Sequence, residues 1–172
     1  MIPKHEDFRI LFEGKPEEFL KLYKEEIEEI MSPDEDDEDP EDIEDYASIE
    51  EASAEEIFEL LFTIPTIPDD DYCELINVLA DEYLPCDVDA DYEDDKIVVY
   101  IDENRHVIDS KDGRSVIRKF DEIIRPDFET RVMNPDTGED SLYPLIILKS
   151  DDWKYVEDRY GTKVAEYFEK LT

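Results

Sequence analysis

Between Lys24 and Lys96 the chain has no lysine or arginine, and thirty-one of the seventy-one residues from Glu25 to Asp95 are Asp or Glu. Like charge at that density repels itself. Such a segment folds only where apolar residues recur regularly enough to bury, and stays extended and solvated where they do not. The net charge of −35 sits almost entirely in this stretch. The first twenty-four residues balance at five acids and five bases, and residues 96–172 hold seventeen acids and thirteen bases. Salt adaptation would spread acid along the whole chain, so the local pattern speaks instead about partners. A concentrated negative field attracts cations and repels nucleic acid and anionic membrane.

Enough apolar material exists to fold. Of the 172 residues, 40% are hydrophobic and 11% aromatic, above what an acidic disordered chain carries. One α+β domain spanning 1–172 is expected, with a helical part over 1–84 that holds an acidic loop at 33–47, and a sheet-containing part over 85–172. No apolar run reaches the eighteen residues a membrane span needs, and the start MIPKHEDF lacks the apolar segment of a secretory signal. A soluble cytoplasmic protein is the expectation.

From Pro16 to Met31, Phe19, Leu20, Tyr23, Ile27, Ile30 and Met31 fall on one helical stripe, with Pro16 at the favoured first position. A shorter helix over Lys4–Phe12, closed by Gly14, is predicted to pack Phe8, Leu11 and Phe12 on the same core. Asp34 to Asp45 then places ten acids in twelve residues. Ser48-Ile-Glu-Glu51 and Ser53-Ala-Glu-Glu56 both read as capping boxes, so a buried helix begins near one of them and runs to Phe62. The prolines at 65 and 68 break the pattern, and Asp69 or Asp70 is the expected cap of a helix reaching about Tyr83.

After Pro85 the period changes to two. Cys86 to Tyr92 alternates strictly, predicting a strand with Val88, Ala90 and Tyr92 on one face and Asp87, Asp89 and Asp91 on the other. Lys96–Ile101 is the strongest strand in the chain, and Arg105–Asp109 returns antiparallel to it. A helix over Arg114–Ile124, strands over Phe128–Met133 and Tyr143–Leu148, and helices over Asp151–Tyr160 and Lys163–Leu171 complete the reading. The order predicts a mainly antiparallel sheet of about five strands with helices packed on one face.

With fifty-three carboxylates, acidic motifs arise by chance. Asp87, Asp89 and Asp91 copy the first three ligand positions of a calcium-binding EF-hand loop, but Tyr92 stands where the turn glycine belongs and Val98 where the bidentate glutamate belongs. Pro68-Asp69 with Asp94-Asp95-Lys96 imitates a magnesium nuclease, against which the charge steers a polyanionic substrate away. Cys73 and Cys86, thirteen residues apart, lack zinc-site spacing and read as two buried thiols. Paired with His106, either gives a nucleophile and base without a local signature. The aromatic run Trp153, Tyr155, Tyr160, Tyr167 and Phe168 reads as core at helical spacing.

No cofactor and no catalytic residue is expected. The reading is an acidic binding or inhibitor protein that engages a basic protein partner, of the nuclease-toxin immunity or DNA-mimic type, without nucleic-acid or membrane binding. Its expected contact residues are Asp34, Glu35, Asp36, Asp37, Glu38, Asp39, Glu41, Asp42, Glu50, Glu51, Glu55, Glu59, Asp87, Asp89 and Asp91. The alternative is a carboxylate-dependent, metal-assisted hydrolase using Asp69–Asp71 with the Asp87–Asp95 region, or a small soluble domain whose acid run only keeps it in solution.

Overall fold

The computed structural model describes residues 1–31, 49–64, 71–109, 112–133 and 144–171. They form an α+β protein that divides into two compact units, Pro3–Phe62 and Thr63–Thr172 with Met1–Ile2. Among the described residues no helix is long and apolar enough to cross a membrane.

The first unit contains α1 (His5–Glu13), α2 (Pro16–Leu22), α3 (Lys24–Ile30), a short 3₁₀ turn (Ile49–Glu51) and α4 (Ala54–Phe62). Gly14 ends α1 in the left-handed conformation, at φ 65°, where a side chain would be strained. The helix predicted over 16–31 is broken at Tyr23, whose φ of −120° and ψ of 31° separate α2 from α3. Its apolar stripe stops with it: Ile27 is buried, while Ile30 is exposed. Of the two capping boxes, Ser53 starts α4. Its backbone N–H donates to Glu56 at 2.7 Å and its Oγ accepts from the Glu56 N–H at 3.2 Å. The core is aromatic, with ring centres of Phe58 lying 5.4 Å from Phe8, 6.2 Å from Phe19 and 4.9 Å from Phe62, spacings at which edge-to-face packing adds to burial.

The second unit opens with α5 (Tyr72–Tyr83), capped by Asp71, which accepts from the Glu74 N–H at 3.1 Å. Asp69 and Asp70, the expected caps, lie outside the described residues. Next come β1 (Val88–Glu93), β2 (Lys96–Ile101) and β3 (Asn104–Ile108), an antiparallel meander with Ala90 opposite Val99 and Val99 opposite His106. α6 (Gly113–Ile124) leads to a second antiparallel sheet in which β4 (Phe128–Met133) lies between β5 (Leu145–Lys149) and β6 (Phe168–Lys170). α7 (Ser150–Tyr160) and α8 (Thr162–Tyr167) connect β5 to β6.

Two three-stranded sheets therefore replace the single five-stranded sheet predicted. α5 and α6 each touch both sheets, so β3 and β4 pack on helices and do not pair with each other. Glu129 to Met133 are all buried, which requires cover on both faces of β4. The helix predicted over Lys163–Leu171 stops at Tyr167, because Phe168–Lys170 pairs with Met133–Arg131 as a strand. In β1 the alternation places Ala90 inward, but Tyr92 remains 48% exposed and Val88 half-buried, since β1 is an edge strand with cover only near its middle. That cover comes from Asn77 of α5. Its Nδ2 donates to the Ala90 carbonyl at 3.1 Å and its Oδ1 accepts from the Ala90 N–H at 2.8 Å, closing part of an edge that otherwise invites a foreign strand.

Candidate functional site

The sequence-predicted contact residues separate into three groups. Asp34, Glu35, Asp36, Asp37, Glu38, Asp39, Glu41 and Asp42 lie outside the described residues, as does the side chain of Glu50. Glu51 is exposed in the 3₁₀ turn, and Glu55 and Glu59 stand one turn apart on α4, both half-buried. Asp87, Asp89 and Asp91 are exposed along the start and body of β1. The last group belongs to the second unit, where the meander gathers further acid: Asp94 and Asp95, read in the sequence only as part of a metal-site pattern, and Asp102 and Glu103, which sequence reasoning did not single out.

Both hairpin turns of the meander are two-residue turns built from acids. Asp94 and Asp95 join β1 to β2 at φ 49° and 61°, and Asp102 and Glu103 join β2 to β3 at φ 46° and 69°. Two successive left-handed residues match the twist of a hairpin, a conformation that Asn-Gly adopts with least strain. Aspartate tolerates it through its short side chain; glutamate does not share that advantage, at about 1 kcal/mol. The first strand of the meander presents Asp89 and Asp91, and the Asp102 N–H donates to the Asp87 carbonyl at 3.2 Å, bringing that turn beside the start of β1.

Some of this charge is neutralised. Arg105 donates to Glu93 at 2.8 Å, Tyr100 Oη donates to the same carboxylate at 2.9 Å, and Lys96 lies 3.0 Å from Asp109. The Arg105 and Tyr100 hydrogen bonds hold the Glu93 carboxyl below its ordinary range. Among the described residues no ion pair reaches Asp87, Asp89, Asp91, Asp94, Asp95, Asp102 or Glu103. Alternate residues of an extended strand repeat about every 7 Å, so Asp87, Asp89 and Asp91 form a row and do not wrap one ion. No three His, Cys, Asp or Glu side chains converge as a metal centre among the described residues.

The cysteines are both free, Cys73 buried and Cys86 half-buried, so the expectation of two buried thiols holds for one of them. Burial, with Asp71 adding to it, pushes the Cys73 thiol up to about 11, opposite to what an activated nucleophile needs.

The second sheet holds a polar cluster of another kind, around Arg131. This side chain is one of the largest fully buried groups in the protein, at 1% exposure, and stacks 4.0 Å from the Trp153 ring centre. Arg131 Nε donates to Glu129 at 2.7 Å, and Nη2 reaches Glu129 at 2.6 Å and Glu157 at 2.8 Å. Lys170 from β6 adds its Nζ at 2.9 Å from Glu157. Burial raises the Glu157 carboxyl, and hydrogen bonds from Lys170 and Arg131 outweigh that, leaving it lowered. Trp153 Nε1 donates to the Glu129 carbonyl at 2.9 Å, and its ring meets Phe168 edge-on at 5.3 Å. The aromatic run is thus divided, with Trp153 and Phe168 in the core and Tyr155 exposed.

The signal for this cluster was present in the strand Phe128–Met133. Glu129 and Arg131 are two apart, so a strand sets opposite charges on one face, and the chain's single tryptophan follows in the next helix. Comparison with known proteins gives no match to a family model, to a curated protein or to a solved structure.

Proposed function

We propose that the protein is an acidic binding protein that engages a basic protein partner through the β1–β3 meander, in the manner of a nuclease-neutralising or DNA-mimicking inhibitor. The observation that carries this reading is carboxylate at all four left-handed turn positions of one small sheet. Glycine or asparagine relaxes such positions, and glutamate at Glu103 is the least comfortable of the four. Strain held at an exposed position is a mark of use rather than of folding. Together with Asp87, Asp89 and Asp91, the turns form a surface whose carboxylates lack ion pairs among the described residues, while Glu93 and Asp109 are already paired. Such a surface raises the encounter rate with a cationic protein by 10- to 10³-fold at low salt, and screening beyond about 8 Å weakens it under physiological conditions.

The test is calorimetric titration with a basic nuclease and with a histone at low and at physiological salt. A parallel variant carries Asn at Asp87, Asp89, Asp91, Asp94, Asp95 and Asp102 and Gln at Glu103. Binding that weakens at least tenfold with salt and again with the substitutions supports the reading. No binding to either cationic protein at low salt, or binding indifferent to the seven substitutions, removes it.

A further inference from the structure

The two edges of the β1–β3 meander are finished differently. On β1, Asn77 takes up both the N–H and the carbonyl of Ala90, and in the second sheet Ile64 does the same for Leu145 at the β5 edge. β3 has no such cover. Among the described residues no hydrogen bond reaches the Val107 N–H or carbonyl, and the Val107 side chain is 44% exposed.

The register defines which groups are open. Asp102 and Glu103 form a two-residue turn, so Ile101 and Asn104, which flank it, exchange backbone hydrogen bonds, as do Val99 with His106 and Ile97 with Ile108. Arg105 and Val107 lie between these pairs and turn their N–H and C=O away from β2, and Asp109 is next in the same alternation. The rule holds on β1 as well, where Ala90 turns its groups outward and Asn77 meets them. Natural sheets close such an edge with proline, lysine or a bulge. Asn104–Ile108 contains neither proline nor lysine, and its register with β2 is unbroken. An open edge of this kind takes an added strand.

The side chains along the edge select which strand. Arg105 and Asp109 stand on either side of Val107, 48% and 74% exposed, and leave this short segment neutral in a chain of −35. Two copies aligned antiparallel about a twofold axis at Val107 set Val107 against Val107 and each Arg105 against the other copy's Asp109. Every one of these pairs is of the type that exchanges backbone bonds, and the charges across the strands are opposite. A register centred on Arg105 or on Asp109 would put like charges on the axis. Arg105 binds Glu93 through Nη2 and Asp109 binds Lys96 through Oδ2. A guanidinium and a carboxylate each have further sites, so both can add the new partner without releasing the old.

We propose that β3 pairs with β3 of a second copy of this chain, Arg105 opposite Asp109 on both sides of the axis, in a weak dimer whose two meanders form one sheet. The two chains repel as wholes, whereas the exposed cross-strand ion pairs lose little to screening. The dimer therefore strengthens with salt, the reverse of what a cationic partner at the acidic turns would do. Neither reading depends on the other.

The test is sedimentation equilibrium of the full chain from about 5 μM to about 1 mM, at low and at high salt, under reducing conditions so that the free Cys86 cannot link copies. The mass is expected to rise from that of one chain toward that of two at high salt, with association at least tenfold weaker at low salt, and the Val107 amide becomes protected from exchange in step. Arg105→Asp and Asp109→Arg each weaken association at least tenfold. An equimolar mixture of the two recovers it, because every cross-strand pair is again opposite in sign although the internal contacts to Glu93 and Lys96 stay lost. Val107→Pro removes an N–H that no strand of the same chain uses and stops association. Circular dichroism verifies that each variant remains folded. A single-chain mass at every concentration and both salts, a mixture no stronger than either variant alone, or undiminished association of folded Val107→Pro overturns the proposal. So does protection of the Val107 amide by a basic nuclease on a chain that stays monomeric, which would give the edge a different occupant.

Discussion

The guanidinium of Arg131 lies 4.0 Å from the centre of the Trp153 ring, so β4 and α7 are joined by a cation on an aromatic face as well as by apolar contact. Such a stack contributes on the order of 2 kcal/mol when desolvated. It also holds a charge inside a sheet where Glu129 to Met133 of β4 are all buried.

Arg131→Met removes the cation and leaves Glu129, itself nearly buried, with one ion partner fewer. The expected loss is about 3–5 kcal/mol, read by urea unfolding followed through Trp153 fluorescence. Glu157→Gln, at the exposed end of the same cluster, costs less than about 1 kcal/mol. An equal cost for the two would mean the cluster is not organised around Arg131.

Asn77→Ala deletes two hydrogen bonds to the Ala90 backbone and costs about 1–3 kcal/mol through the unpaired groups left behind. Amide exchange at Ala90 is expected to accelerate more than that of Val98 in the central strand. Light scattering should rise as well, because the β1 edge is then open.

Replacing Asp102-Glu103 by Asn-Gly relaxes two left-handed residues at φ 46° and 69°. The variant is expected to gain about 0.5–1 kcal/mol in denaturant unfolding while losing affinity for a cationic partner. Greater stability with reduced binding is the combination that separates a functional turn from a merely tolerated one.

The buried carboxyl of Asp7 accepts from Tyr23 Oη at 2.9 Å and from the Lys4 N–H at 2.6 Å. Burial pushes its pKa above the ordinary 3.8, against the lowering effect of those hydrogen bonds. A raised folded-state value means that folding takes up protons, so this group's contribution is complete below pH 3.8 and falls as pH rises through the raised value. Tyr23→Phe removes a donor that favours the ionised form. Its cost is expected to be about 1–3 kcal/mol at neutral pH and smaller in acid, measured by thermal unfolding across that range.

Glu157 behaves in the opposite sense. Its carboxyl is lowered from 4.5, so its contribution is present above pH 4.5 and is lost as pH falls through the folded-state value. The stability gap between the parent and Glu157→Gln should therefore close in acid, whereas a gap constant with pH would assign the effect to packing.

Local elements were largely legible. Phe128–Met133 was predicted with the boundaries that β4 has, Gly14 marks the helix end expected of it, and one of the two capping boxes read from the sequence, that of Ser53, starts α4. Each depends on chemistry within a few residues: a side-chain cap, a residue without Cβ, an alternation of period two. The acidic strand face was legible for the same reason. The left-handed strain of the turns Asp94-Asp95 and Asp102-Glu103 cannot be read from residue names, since an acid in a turn is ordinary.

By itself the sequence determined where charge concentrates, which segments are periodic and where they stop. Only the tertiary structure decided that the six strands among the described residues make two sheets, that Phe168–Lys170 is a strand rather than the end of a helix, and that Arg131 is buried. These outcomes share one cause. Strand pairing and the burial of a charge are settled by partners distant in the chain: β4 recruits β6 from more than thirty residues away, and Arg131 is tolerable inside only because Glu129, Glu157 and Trp153 meet it there. Energies of that kind belong to pairs of distant residues, and no local pattern contains them.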